Sequence, residues 1–142
     1  MSEGGPLDED KMDGESAEAE FQRFADEFEL DIDEKGMDDE DRQAFQASKK
    51  VFIRELKRGS IVVDERGAAT YTTRFETNPS PVVFHEPTGA TFMASDQKKR
   101  GHDAAKMYAM IADMTRQNIQ RFSKMPRRDL KVVESVALLF LG

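Results

Sequence analysis

Apolar side chains recur at helical spacing near the start of the chain. The positions that share one helical face are Phe21, Phe24, Ala25, Phe28 and Ile32. The residues before about position 15 are rich in acids and glycine, a composition typical of disorder. We therefore predict a largely disordered acidic arm over residues 1–37, with an amphipathic helix at 17–32. The phenylalanine stripe either packs on the rest of the protein as an additional core helix or docks into a groove of a partner.

A second helical pattern follows at about residues 39–58. Phe45, Phe52 and Leu56 share its apolar face. Acidic residues begin the segment and basic residues end it, which matches the helix macrodipole. Gly59 comes directly after the pattern and is suited to a helix C-cap. The segment is predicted to be one continuous helix.

Residues of high strand propensity occupy the middle of the chain. Segments 60–63 and 68–75 are rich in β-branched and aromatic residues, and the short polar stretch between them predicts a hairpin. Segments 82–85 and 90–94 flank Glu86-Pro87-Thr88-Gly89, which predicts a second hairpin. The expected result is a small antiparallel sheet of four strands that needs a helical layer to cover one face.

The C-terminal third returns to helical periodicity. A stripe that includes Met107, Ile111 and Met114 predicts one helix, and Ile119 and Phe122 predict a short helical turn. The last helix is expected at about 126–141, with a broad apolar face. The fold class is therefore α+β, with two hairpins packed against helices in a compact domain at 38–142.

Charge is segregated along the chain. Residues 1–41 hold 18 acidic and 3 basic residues, a net charge of −15, whereas residues 42–142 hold 10 acidic and 18 basic residues, a net charge of +8. The acidic part either stays solvated or lies over the basic part and competes with an acidic partner. Nucleic acid is a weak candidate partner because the basic residues are scattered and the net charge of the chain is −7.

The sequence offers little material for catalysis. It has no cysteine and only two histidines, His85 and His102, which are isolated from each other. A calcium loop that began at Asp31 would place Lys35 and Arg42 at ligand positions, where they would repel the ion. No phosphate loop, nucleophile elbow, signal peptide or membrane-spanning segment is recognisable. We expect a protein that is not an enzyme and that has no metal or cofactor.

The segment 82–142 resembles the phage tail assembly chaperones of contractile-tailed phages of the Mu and P2 kind. The resemblance covers about 61 of the 142 residues. Its positions are Glu86-Pro87-Thr88-Gly89, Met107-Tyr108-Ala109-Met110-Ile111-Ala112, Met114-Thr115, Ile119, Phe122, Met125, Asp129-Leu130 and Leu138-Leu139-Phe140-Leu141-Gly142. The family pattern includes a strand pair around the first of these motifs.

This resemblance implies a holdase in the host cytoplasm that keeps the tape-measure protein soluble until the tail tube protein polymerises around it. The alternatives are a minor tail or baseplate component of the virion and an acidic regulator that mimics nucleic acid. Homo-oligomerisation and a longer form made by frameshifting stay open. The expected partner-binding residues are Phe21, Phe24, Phe28, Met107, Met110, Met114, Phe140 and Leu141.

Overall fold

The α+β fold is confirmed by a computed structural model that describes residues 10–96 and 103–141. The helices are α1 (Gly14–Glu27), α2 (Asp39–Arg58), α3 (Gly89–Asp96), α4 (Asp103–Thr115), α5 (Ile119–Lys124) and α6 (Arg127–Leu141). The strands are β1 (Ile61–Val63), β2 (Ala69–Thr72) and β3 (Pro81–Val83), and a short 3₁₀ helix spans Glu34–Gly36.

Helix α2 forms where the sequence predicts it. The Asp38 side chain caps its start by accepting a hydrogen bond from the Asp41 amide at 2.8 Å. At its end, Gly59 adopts a left-handed conformation with φ of 84°, which a residue without a side chain adopts without strain. Helix α6 packs against α2, so the two longest helices lie side by side in the core.

Helix α1 belongs to the folded body, contrary to the predicted division between an arm and a domain. Asp13 caps it by accepting a hydrogen bond from the Ser16 amide at 2.7 Å. Its buried face packs against α2 and β1 and joins the same hydrophobic core as the rest of the chain. The boundary expected at residue 38 is therefore wrong, because the phenylalanine stripe is covered by the domain itself. Residues 1–9, the start of the predicted arm, lie outside the described residues.

The strands form one antiparallel sheet in the order β1-β2-β3. Tyr71 of the central strand lies opposite Ile61 on one side and Val82 on the other, and all three side chains are buried. The first hairpin is confirmed. The second hairpin is wrong, because residues 90–94, predicted as a strand, lie within helix α3. The described sheet consequently has three strands instead of four.

Arginine side chains occupy both outer edges of this sheet. Arg23 donates from α1 to the carbonyl oxygens of Val63 and Asp64 at 3.1 and 3.0 Å, beside β1. Arg121 of α5 donates to the carbonyl oxygens of Ser80 and Pro81 at 3.0 and 3.2 Å, beside β3. One edge carbonyl on each side, that of Val63 on β1 and that of Pro81 on β3, is thereby taken by a guanidinium group. The Asp64 and Ser80 carbonyls, by contrast, also accept bonds from the Gly67 and Thr73 amides.

Arg121 also holds the loop before β3 through an ion pair with Glu76, whose oxygen lies 2.8 Å from the guanidinium. The two side chains are only 15% and 17% exposed. We expect Arg121→Ala to lower the free energy of unfolding by about 2 kcal/mol, since it removes the cationic partner of the largely buried Glu76 and the side-chain donor to the Pro81 carbonyl. Urea denaturation would measure the change, with Lys124→Ala on the same helix as an exposed control.

The same pair predicts a pH dependence. The hydrogen bond from Arg121 holds the pKa of Glu76 below its ordinary value of 4.5. The stabilisation is therefore complete above pH 4.5 and is lost as the pH falls through the lowered folded-state pKa. Arg121→Ala should thus destabilise the protein more at pH 7 than at the lowest pH at which it still folds. An equal effect at both values would contradict this role for the pair.

Candidate partner-binding surfaces

The predicted binding residues Phe21, Phe24 and Phe28 lie in an aromatic cluster inside the protein. Phe21 and Phe24 are completely or almost completely buried, and Phe28 is half-buried. The ring of Phe24 lies 4.8 Å from that of Phe52 on α2 and 5.3 Å from that of Phe140 on α6. Phe28 also contacts Phe140, with ring centroids 5.0 Å apart. These distances are typical of packed aromatic pairs.

The phenylalanine stripe therefore joins α1 to α2 and α6 and is not free to dock into a partner. Of the two interpretations that the sequence left open, the structure supports the additional core helix. Phe140 contributes to the same cluster, and Leu141 packs half-buried against the core. Most of the apolar surface of these two residues is thus covered within the chain as well.

The three methionines of the predicted surface differ in exposure. Met114 is buried in the core, whereas Met107 and Met110 are half-buried on α4. Met107 also packs against the core cluster. Met114 is therefore a core residue, and Met107 and Met110 retain some accessible surface.

Two adjacent apolar side chains are exposed on α3, whereas the other exposed large apolar residues of the described chain, Val62 and Leu138, lie singly on β1 and α6. Phe92 is 50% exposed and its neighbour Met93 is 64% exposed. Two adjacent large apolar side chains on one short helix form the α3 patch, defined here as Phe92 and Met93. Helix α3 packs mainly against α4, so the patch is on the outside of a pair of helices. Exposed apolar clusters of this kind are typical of interaction sites.

A groove of about 460 Å³ runs beside this patch, between α3, α4 and the start of α5. The groove is shallow and open, and small side chains from Ala94, Ala109 and Ala112 line it. Asp113 and Arg116 provide polar groups at the same groove. We call this feature the α3–α4 groove.

The α3 patch was not predicted from the sequence, because the composition of residues 90–94 favours a strand. The local signal for a helix is a reciprocal bond between two threonines. The Thr88 amide donates to the Thr91 hydroxyl and the Thr91 amide donates to the Thr88 carbonyl, each at 3.0 Å. The Thr91 hydroxyl thus accepts the bond that the glutamate side chain accepts in a capping box, whereas the Thr91 amide bonds the Thr88 backbone instead of its side chain. The Thr91 hydroxyl also bonds Asp113 and so ties α3 to α4.

Two fully buried carboxylates are satisfied by the chain itself. Asp129 accepts hydrogen bonds from the Tyr71 hydroxyl and from the Arg74 amide, both at 2.7 Å, and from the Phe75 amide at 3.0 Å. Burial, together with the bond to Asp129, raises the pKa of Tyr71 above its ordinary value, so the hydroxyl stays protonated as the donor. Glu55 accepts from the Ser60 hydroxyl at 2.7 Å and pairs with arginines. Both groups hold elements of the fold together.

The remaining chemistry in the described residues is sparse. Among residues 10–96 and 103–141, no three His, Asp or Glu side chains are arranged to hold a metal ion, and no helix is long and apolar enough to cross a bilayer. His85 is half-buried, and burial together with Arg116 lowers the pKa of its imidazole. His102 lies outside the described residues.

The comparisons with known proteins add no relative. No family model matches the chain, and neither a curated protein nor a solved structure is detectably similar to it. The partner class therefore rests on the accessible residues of the chain and on the resemblance of its segment 82–142.

Proposed function

We propose that this chain is a tail assembly chaperone of a contractile-tailed phage, which binds apolar helical segments of the tape-measure protein on its α3 patch and α3–α4 groove. The observation that carries the proposal is the exposure of Phe92 and Met93 within the segment that resembles this family. This location differs from the expected one, since Phe21, Phe24 and Met114 are buried.

The chemistry of the patch suits a holdase. A half-exposed phenylalanine and a more exposed methionine give an apolar surface that adapts to different partner side chains, because the unbranched methionine changes its conformation at little cost. The alanine-lined groove beside it would accept a larger side chain from an amphipathic helix. The high density of charge elsewhere on the chain, 35% of its residues, would keep such a complex in solution.

One element of the family pattern differs in this chain. The resemblance includes a strand pair around Glu86-Pro87-Thr88-Gly89, and the residues after this motif form α3 instead of a second strand. In this chain, the helix is what brings Phe92 and Met93 to the exterior. The proposal therefore depends on α3 and would lose its support if these two residues were in a strand.

The decisive variant replaces both residues of the patch, Phe92→Ser together with Met93→Ser. We expect it to weaken binding to the tape-measure protein by about 30- to 700-fold, since each of the two apolar side chains contributes roughly 1–2 kcal/mol when covered. Copurification of the two coexpressed proteins and aggregation of the tape-measure protein followed by light scattering would measure the loss. The melting temperature should stay unchanged because both side chains are exposed.

Val62→Ser is the matched control, because Val62 is 58% exposed but lies on β1, away from α3. Undiminished binding by the double variant would refute the site. Presence of the protein in purified virions at the stoichiometry of a structural subunit would instead favour the minor tail or baseplate component. An acidic regulator would lose function on removal of residues 1–15 while the α3 variant retained it.

A further inference from the structure

Four arginines converge on the side of the protein where α2, the start of α6 and the loop after β2 meet. Arg54 and Arg58 lie 3.2 and 3.0 Å from one oxygen of Glu55, and Arg74 lies 3.6 Å from the other. Arg128 stacks on the ring of Phe75, 3.9 Å from its centroid, and the Arg74 guanidinium lies 4.8 Å from the same centroid. We call Arg54, Arg58, Arg74 and Arg128 the arginine cluster.

The positive charge of this cluster exceeds the negative charge that the fold brings to it. Glu55 is the single carboxylate that the described residues place within 4 Å of these guanidinium groups. The second buried carboxylate nearby, Asp129, has its oxygens engaged by the Tyr71 hydroxyl and two backbone amides. Even when both carboxylates are counted, four positive charges face two negative ones.

The guanidinium groups are also held in place and accessible. Arg54, Arg58 and Arg74 are between 30% and 43% exposed, and Arg128 is exposed. Arg128 packs over the ring of Phe75 and is nevertheless an exposed residue. A planar fork of donors presented in this way matches a carboxylate, which it can bind with two parallel hydrogen bonds.

From this arrangement we infer that the arginine cluster is a docking site for an acidic segment of a partner protein, rich in glutamate or aspartate. An acidic peptide fits better than nucleic acid because the whole chain carries a net charge of −7, which repels an extended polyanion beyond the cluster. A short peptide meets only the local positive charge within a Debye length of about 8 Å. The site is formed by residues of α2, of the loop after β2 and of the start of α6, and it shares no residue with the α3 patch.

The test uses the full-length chain and a fluorescein-labelled peptide of six glutamates, with a peptide of six glutamines as the neutral probe. Fluorescence anisotropy should show binding of the acidic peptide that weakens as sodium chloride rises. Arg128→Gln should lower the affinity about tenfold, because it removes a bidentate charged donor. Arg127→Gln is the matched control, because it removes the same charge from the neighbouring exposed position. In the part of the chain that the structure describes, the cation–π contacts to Phe75 come from Arg74 and Arg128 and not from Arg127.

Equal binding by Arg128→Gln and Arg127→Gln would overturn the inference, because the effect would then be one of net charge. Tighter binding of a DNA oligonucleotide than of hexaglutamate would also overturn it and identify a nucleic-acid surface. Binding only after deletion of residues 1–9 would show that the acidic start of this chain occupies the cluster instead of a partner. Each variant is used only if its circular dichroism spectrum matches that of the unaltered chain.

Discussion

Asp129→Ala is expected to destabilise the protein by about 3–5 kcal/mol, more than any surface change in the chain. The carboxylate is fully buried and accepts three hydrogen bonds, from the Tyr71 hydroxyl and from the amides of Arg74 and Phe75. Alanine would leave all three donors without an acceptor, and each buried group left in this state costs about 1–3 kcal/mol. Urea denaturation followed by circular dichroism measures the free energy of unfolding of the variant and of the unaltered chain.

Two further variants separate the contributions at this site. Tyr71→Phe removes one donor but keeps the carboxylate and its two amide partners, so its cost should be about 1–2 kcal/mol. Asp39→Ala is the control for loss of a carboxylate, because the Asp39 side chain is 94% exposed and pairs only with Arg42 at the surface. If Asp129→Ala cost no more than Asp39→Ala, the proposed structural role of Asp129 would be incorrect.

Phe24→Ala is expected to cost about 3–5 kcal/mol, the usual range for deletion of a buried aromatic side chain. Phe24 is fully buried and stacks against rings from α2 and α6, with Phe52 at 4.8 Å and Phe140 at 5.3 Å. Its removal would leave a cavity at the junction of three helices. Thermal and urea denaturation would measure the loss, and Phe92→Ala on the exposed α3 patch should change stability little.

A truncated chain tests in a second way whether the packing of α1 stabilises the protein. A chain that begins at residue 38 lacks α1 and exposes the aromatic faces of α2 and α6 that α1 covers. We expect this fragment to lose the fixed packing of its aromatic rings, seen as loss of near-ultraviolet circular dichroism, and to aggregate. A fragment that folds and melts like the full chain would show that α1 is an accessory element.

The elements that could be predicted from the sequence are those for which several independent local signals agree. Helix α2 was predictable because its apolar face, its terminal charges and Gly59 all indicate the same bounds. Helix α3 was not, because eight residues around Thr91 and Phe92 have mixed propensities. What favours the helix is the reciprocal bond with Thr88 together with a contact to Asp113, which lies 22 residues away.

The candidate binding surfaces and the buried Asp129 depend on contacts between residues far apart in the sequence. The spacing of residue types along the chain does not reveal such contacts. The stripe of Phe21 and Phe24 was predictable as an apolar face, but its cover includes Phe140, more than 110 residues further on. Asp129 meets Tyr71 across 58 residues, so the sequence gives no sign that this carboxylate is buried. The arginine cluster likewise unites residues from 54 to 128, which appear in the sequence as scattered positive charges.

The arginines at the sheet edges have a consequence for how this protein can associate. A neighbouring chain that added a strand beside β1 would have to displace Arg23 from the Val63 carbonyl, and beside β3 it would have to displace Arg121 from the Pro81 carbonyl. Displacement would break these charge-assisted hydrogen bonds. Association of this protein through its sheet edges is therefore disfavoured, which favours contacts made by side chains over the addition of a strand.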